Sequence, residues 1–314
     1  MGPLFELTRG RAFALAAVAS CAFFAPIASA NYASDFEALA GSAGGTVLTG
    51  QDGWFNPVAG SADYRVYTYA GNALAFPANA TGGAQFIGGT SGGGTAFGRA
   101  QHNEAFPNPL NGIYTFQYDL CGGFGGTPPA VNNLGSFSIQ PSSTNAPNGQ
   151  LNHLFSWVTG QEGVRYNAFY TVYDFNGVAD LAPGRQPGAQ WGNLELRHWY
   201  RCTTVVDFTI NQVIEVRIKD LVTNVETTFF PPGDWYLYGG AAGPGQIPTG
   251  FRCFAGGGLG NQVGFDNMNV QAGQSTPVLA GTWGGIKNAF LTEGGRRAAT
   301  PAPTSSSPVW PNID

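Results

Sequence analysis

Asp35 and Glu37 are carboxylates two positions apart. On a strand such a pair shares a face, the arrangement in which a retaining glycosidase holds nucleophile and acid/base about 5 Å apart. They stand at the very start of the domain with no third partner nearby, so the spacing points to a structural role. Glu215 and Asp220 are five apart and fall on opposite faces of a strand. Arg165, Tyr166 and His153 are the residue types of a lyase site, but their spacing does not gather them. No catalytic constellation emerges, and the chain is expected not to be an enzyme.

A second chemistry is metal binding. If the first and last strands pair, Asp35, Glu37 and Asp266 could meet around a structural Ca²⁺, which takes six or more oxygen ligands. The competing reading has Asp266 capping a turn and Glu37 facing solvent. No cysteines or histidines are spaced as zinc ligands, since His102, His153 and His198 lie far apart.

The third chemistry is aromatic stacking on sugar rings, with Asn and Gln reading hydroxyls. The sequence has seven tryptophans. Trp54 and Trp199 fall in runs that read as core, and Trp283 and Trp310 lie near the C-terminal end. Trp157, Trp191 and Trp235 remain, each beside glycine-rich or polar sequence, with Tyr236 and Tyr238 after the last. Trp157, Trp191, Trp235 and Tyr236 are therefore the candidate carbohydrate-binding residues, and at least two rings should face solvent in one groove. Burial is the ordinary explanation for any single tryptophan; the cluster carries the expectation.

Strands must position these residues. From His198 to Thr228, Val206, Phe208 and Ile210 alternate with polar residues, then Ile214, Val216 and Ile218 do the same, with Asn211 and Gln212 between. That is a period-2 hairpin with one buried face. Further strands are expected at residues 34–38, 64–69, 73–76, 96–101, 112–120, 135–140, 154–158, 168–173, 249–255 and 263–270. Clusters at 81–94, 122–133 and 141–150 read as loops. Almost nothing reads as helix, and about 240 residues of strands and loops fit one jelly-roll sandwich.

Composition bounds the setting. Arg9 and Arg11 precede an apolar run at 12–25, Pro26 breaks it, and Ala28-Ser29-Ala30 is a pattern that signal peptidase accepts, so residues 1–30 are expected to be a signal peptide. The alternative is a lipobox at 18–21 with Cys21 acylated. Removing two arginines and one glutamate with the leader takes the formal charge from −5 to about −6, a poor match to nucleic acid or anionic membranes. No later stretch approaches the roughly 20 apolar residues of a spanning helix. The 47 glycines and 11% charged residues suit a β-protein with many turns that handles neutral ligands. Past the leader, Cys121, Cys202 and Cys253 allow one disulfide at most. A Cys202–Cys253 bridge and three buried free thiols are both open. Periodicity fades after 271, and AATPAPTSSSP at 298–308 marks 272–314 as a disordered tail.

Asp35-Phe36-Glu37, Gly50-Gln51-Asp52-Gly53-Trp54, His198-Trp199-Tyr200-Arg201 leading into Val206-Asp207-Phe208, and Gly264-Phe265-Asp266-Asn267 resemble exported bacterial proteins of the concanavalin A-like lectin/glucanase superfamily. The resemblance spans residues 34–271. Similar domains occur in proteins with an exosortase sorting tail of the PEP-CTERM type; here no Pro-Glu-Pro and no apolar segment follow Trp283. It implies an all-β jelly-roll sandwich of two antiparallel sheets at residues 31–271, secreted or at the cell surface. Extracellular glycan or another polymer is the expected partner. A cell-envelope or matrix structural protein without a small ligand is the alternative, and a polysaccharide hydrolase or lyase a further one.

Overall fold

The computed structural model describes residues 30–94, 96–104, 106, 112–126, 133–140, 151–180, 184–243 and 248–273. Residues 1–29 of the expected signal peptide, with Cys21, the expected loop at 141–150, and residues 274–314 of the expected tail, with Trp283 and Trp310, lie outside the described residues.

The first half of the chain supplies β1 (Ala30–Ser34), β2 (Thr46–Val47), β3 (Trp54–Phe55), β4 (Ala62–Asp63), β5 (Arg65–Thr68), β6 (Gln85–Thr90), β7 (Gly98–Asn103), β8 (Ile113–Phe124) and β9 (Gly135–Gln140). The second half supplies β10 (Leu151–Trp157), β11 (Arg165–Thr171), β12 (Leu194–Glu195), β13 (Trp199–Asp207), β14 (Gln212–Asp220), β15 (Glu226–Phe229), β16 (Gly250–Ala255) and β17 (Asn261–Ala272). One sheet runs β15-β14-β13-β8-β17-β6-β5-β2, with β1 also on β17. The other runs β12-β11-β10-β9-β16-β7-β3, with β4 on β7. Among the described strands pairing is antiparallel except for the two-residue parallel β4–β7 contact, and the isolated Ser42–Tyr67 bridge is also parallel. The architecture is a jelly-roll sandwich, as expected.

The core lies between the sheets. Phe116, Tyr118 and Leu120 of β8 and Val263 and Phe265 of β17 meet Phe137, Phe155, Tyr170 and Phe251 from the other side. Ring pairs such as Tyr118–Phe137 at 4.2 Å and Phe137–Phe265 at 6.3 Å bridge it. The terminal strands do pair: Ser34 stands opposite Met268, so the pairing uses β1 rather than residues 35–38. Residues 73–76 form no strand.

Two local expectations shift. In the β13–β14 hairpin the register slips between Val205 and Val206, so Val213, Val216 and Ile218 are buried and Ile214 is only partly so. Beyond Asp207 the chain turns, which leaves Ile210 exposed instead of on the buried face. Residues 85–90, read as loop, are strand β6 beside β17 in mid-sheet. A Cβ on Gly89 would overlap the ring of Tyr64, and one on Gly88 would come within 2.6 Å of Leu74. The glycines there admit side chains laid across the strand. Residues 122–124 repeat the theme as the end of β8, where Gly123 lies under Phe76.

Cys121, Cys202 and Cys253 are buried free thiols. Cys202 is on β13 and Cys253 on β16, in opposite sheets. Packed sheets stand about 10 Å apart, whereas a disulfide needs Cα atoms within about 7 Å. Among the described residues no helix is long and apolar enough to cross a membrane.

Candidate functional site

Three of the four expected stacking residues are in the core. On β10, Leu151, His153, Phe155 and Trp157 point inward, and Trp157 is 2% exposed with its ring edge against Phe124. Trp191 ends a short 3₁₀ turn, Ala189–Trp191, and is 1% exposed. Trp235 is 4% exposed, packed on Tyr170 at 5.7 Å and Phe229 at 5.4 Å. The expectation of two solvent-facing rings among these four is therefore corrected. An indole is large enough that the interior outcompetes a surface role. Tyr236 alone reaches the surface.

Around Tyr236 the structure builds a different aromatic surface. Tyr236 and Tyr173 form an antiparallel bridge, the Tyr173 amide donating to Tyr236 O at 2.8 Å and the Tyr236 amide to Tyr173 O at 3.0 Å. On its other side the same segment meets the start of β14, where the Val213 amide donates to Trp235 O at 2.9 Å. Residues 235–237 thus stitch the open margins of the two sheets together. Strand alternation turns Trp235 and Leu237 inward and Tyr236 and Tyr238 outward. Phe175 follows Tyr173 by two, where the chain enters a turn.

The resulting rings meet at right angles. Phe175 and Tyr236 have centroids 6.0 Å apart at 88°, and Tyr173 and Tyr238 are 5.4 Å apart at 87°. Phe175 is 66% exposed and Tyr238 44%, and Val178, in the same turn as Phe175, is exposed too. Tyr173 is buried beneath, where desolvation pushes its phenol up to about 12.

Local chemistry fixes this ribbon. The Asp174 carboxylate accepts the amides of Asn176 and Val178, both at 2.8 Å, closing the turn that presents Phe175. Asn211 is buried in the left-handed region at φ 58°, a conformation asparagine tolerates. Its side-chain amide donates to Leu237 O at 3.3 Å, Tyr238 O at 3.1 Å and Gly240 O at 2.8 Å. Asn211, expected only as a hairpin residue, is thus the clamp of the aromatic segment.

The ribbon continues an outward face of neutral groups. Asn167 and Phe169, both partly exposed, alternate along β11 with buried Tyr166, Ala168 and Tyr170, and Thr171 at the end of the strand is itself buried. Asn152 of β10 pairs with Thr171, and Ser138 of β9 pairs with Asn152. Of these polar residues Asn152 and Asn167 are partly exposed, whereas Ser138 and Thr171 are buried.

The three carboxylates named for Ca²⁺ do not assemble. Asp35 accepts the Glu37 amide at 3.1 Å, and Glu37 accepts the amides of Ala84 and Gln85 at 2.7 and 2.8 Å. Asp266 is fully buried and accepts from Tyr69 Oη at 2.7 Å, Asn79 Nδ2 at 3.1 Å and its neighbour Asn267 N at 2.8 Å. Residues 82 and 83 pass between them: a Cβ on Gly82 would overlap Asp266, and one on Gly83 would overlap Glu37. These oxygens are engaged by N–H and O–H donors. Among the described residues no group of three His, Cys, Asp or Glu side chains is placed to hold a metal ion.

Sequence reasoning missed the partner of Asp266. Asp119 of β8 stands directly opposite it in register and is likewise buried. Arg201, opposite Asp119 on β13, donates Nε at 2.7 Å and Nη2 at 3.0 Å to its carboxylate. Burial holds the Asp266 carboxyl up at about 6. Arg201 was visible in the His198-to-Arg201 motif, but its partner could be found only from the strand register.

No family model matches the chain, and no curated protein matches it. Among solved structures it is similar to a carbohydrate esterase of the Shiga toxin-encoding bacteriophage phi24B, with 12% identity, a TM-score of 0.43, and coverage of 74% of this chain and 98% of that one. It is also similar to the catalytic domain of a glycoside hydrolase family 131 protein from Coprinopsis cinerea, at 10% identity and TM-score 0.37, covering 70% and 83% of the two chains. Lectin II from Ulex europaeus is similar at 9% identity and TM-score 0.37, with 62% and 88% covered.

Proposed function

We propose that this chain is an exported, non-catalytic carbohydrate-binding protein whose sugar contact is the ring corner of Phe175 and Tyr236, extended by Tyr238. The observation that carries this reading is the outward face of the Tyr173–Tyr236 bridge, where an exposed ring meets a neighbour at 88°. Water-facing aromatic rings on a clamped ribbon supply the apolar surface that the C–H face of a pyranose needs. Phenol hydroxyls and the neighbouring amides supply neutral hydrogen bonds.

The angle favours one kind of glycan. Coplanar rings would suit the flat surface of a packed polysaccharide, whereas a right-angled corner receives one pyranose, stacked on one ring and edged by the other. A soluble chain or a chain end is the fitting ligand. The adjoining carboxylates are held in place: Asp174 closes its own turn, and Asp180 and Asp234 pair with Arg185 at 3.1 and 2.8 Å. They therefore do not flank the corner as an acid/base pair.

A glycan array probed with the full chain tests the reading. Binding to soluble oligosaccharides that falls about fivefold or more in F175A or Y236A, with folding intact, is expected. Equal binding by wild type and both variants would sink it.

The structural-protein alternative has one observation of its own. β15 is the free margin of its sheet, and Phe230, Val225 and Val222 are exposed along it, the kind of edge that pairs between copies. Concentration-dependent association abolished by F230K would favour that reading.

A further inference from the structure

Leu196 and Arg197 form a tight turn between Glu195 at the end of β12 and His198. Arg197 there has φ 55°, a strained setting for a side chain of its size. It is held by its amide on Gly122 O at 2.7 Å and its guanidinium on Phe124 O at 2.9 Å. The turn brings the side chains of Glu195 and His198 to the same side, and the amide of Glu195 donates to Tyr200 Oη at 3.1 Å.

Each of the two side chains is oriented by a further partner. His198 Nε2 lies 2.7 Å from Asp220 Oδ1, which also accepts the amides of Val222 and Thr223. The imidazole stacks on Tyr200 at 4.7 Å. With Nε2–H given to Asp220, Nδ1 carries the lone pair, and it faces Glu195 Oε2 at 3.9 Å. The other oxygen, Oε1, pairs with Arg165 Nη2 at 3.3 Å. The gap between Nδ1 and Oε2 is too long for a hydrogen bond. It is close to twice a metal–ligand bond of about 2.0–2.2 Å. Beside it lies a cavity of about 260 Å³, with room for water.

We propose that His198 and Glu195 form a two-ligand site for a divalent transition-metal ion of the Zn²⁺ or Cu²⁺ kind, with water completing the coordination. Imidazole nitrogen with a carboxylate oxygen selects such ions over Ca²⁺ or Mg²⁺. Asp220 plays the outer part that carboxylates play behind metal-bound histidines, fixing the tautomer and the ring direction. Glu195 has a side chain 55% exposed and can swing the few tenths of an ångström that a tetrahedral angle requires. His102 and His153, the other two histidines of the sequence, are buried and so do not compete.

The test is titration of the untagged full chain with ZnCl₂ by calorimetry, and with CuCl₂ by electron paramagnetic resonance. One saturable Zn²⁺ site is expected, with Cu²⁺ showing hyperfine coupling to a single imidazole nitrogen. H198A and E195Q should each weaken Zn²⁺ at least tenfold, and D220N ten- to a hundredfold. Should a variant fail to fold, nitrogen-15 shifts of the wild-type histidines decide: Zn²⁺ should move His198 Nδ1 and leave His102 and His153 unchanged. No saturable binding, binding undiminished in folded H198A, or shifts at another histidine would overturn the proposal.

Discussion

Tyr173 and Tyr236 exchange both backbone hydrogen bonds across one isolated bridge, yet end in different environments: Tyr173 is buried and Tyr236 is at the surface. Tyr238 meets Tyr173 edge-on at 5.4 Å, and Phe175 meets Tyr236 at 6.0 Å. Truncating the outer rings should separate binding from stability. F175A should lower glycan affinity and shift the melting temperature by little, because the ring is mostly in water. W235A should cost roughly 3–5 kcal/mol of stability. Thermal melts beside affinity electrophoresis of both variants check this, and the reverse assignment would refute the site.

Asn211 offers a finer test, since it contributes both a left-handed backbone and three side-chain hydrogen bonds. N211G keeps the backbone freedom and loses the clamp, while N211A loses both. N211G is expected to weaken glycan binding through a loosened 237–240 segment and to be destabilised by about 1–3 kcal/mol. N211A should be less stable by about a further 1 kcal/mol. Chemical denaturation of the two variants measures the gap, and equal stabilities would mean that the backbone conformation contributes little.

Acid stability should depend on His153. It is buried against Tyr170 at 4.3 Å and shares a 2.5 Å hydrogen bond with the Tyr118 hydroxyl. Burial lowers its pKa from 6.5 to about 3. A depressed histidine favours the neutral folded form, so stability is complete above pH 6.5 and falls as pH drops toward 3, by roughly 5 kcal/mol. H153F should flatten that fall in denaturation midpoints measured between pH 7 and 4. An unchanged slope would contradict a buried neutral imidazole.

Asp266 should act in the opposite direction. Its folded pKa is raised from 3.8 to about 6, chiefly by desolvation. Its contribution is therefore fully present below pH 3.8 and is lost as pH rises through 6, by about 3 kcal/mol. D266N removes this dependence, and its stability should decline more steeply than wild type on acidification from pH 7 to 5, where the two groups otherwise offset each other. A wild-type-like profile for D266N would show that the carboxyl stays ionised.

What the sequence disclosed depended on whether a residue's role is set locally. The β13–β14 hairpin was legible because alternation is a nearest-neighbour signal, although the slip at Val205/Val206 was not. Strand β6 was hidden because its glycines look like loop residues, and only the rings of Tyr64 and Leu74's side chain, distant in sequence or across the sheet, explain them. G89A should therefore cost several kcal/mol in a denaturation midpoint, more than a solvent-exposed turn glycine would. The tryptophans misled for the same reason: residue type reports apolar area, while the direction in which Trp157 or Trp191 points is decided by pairing far along the chain. Tyr236 and Phe175 are separated by 61 positions, and their meeting needed the bridge at Tyr173.

The three free cysteines among the described residues give the fold built-in reporters. Cys121 and Cys202 belong to neighbouring strands of one sheet and Cys253 to the other, and burial pushes all three thiols up, away from the reactive thiolate. An alkylating reagent can reach them only when the surrounding strands come apart. Comparing the labelling rate at Cys253 with that at Cys202 then measures whether the two layers open as one unit or in sequence, with no foreign probe added to the chain.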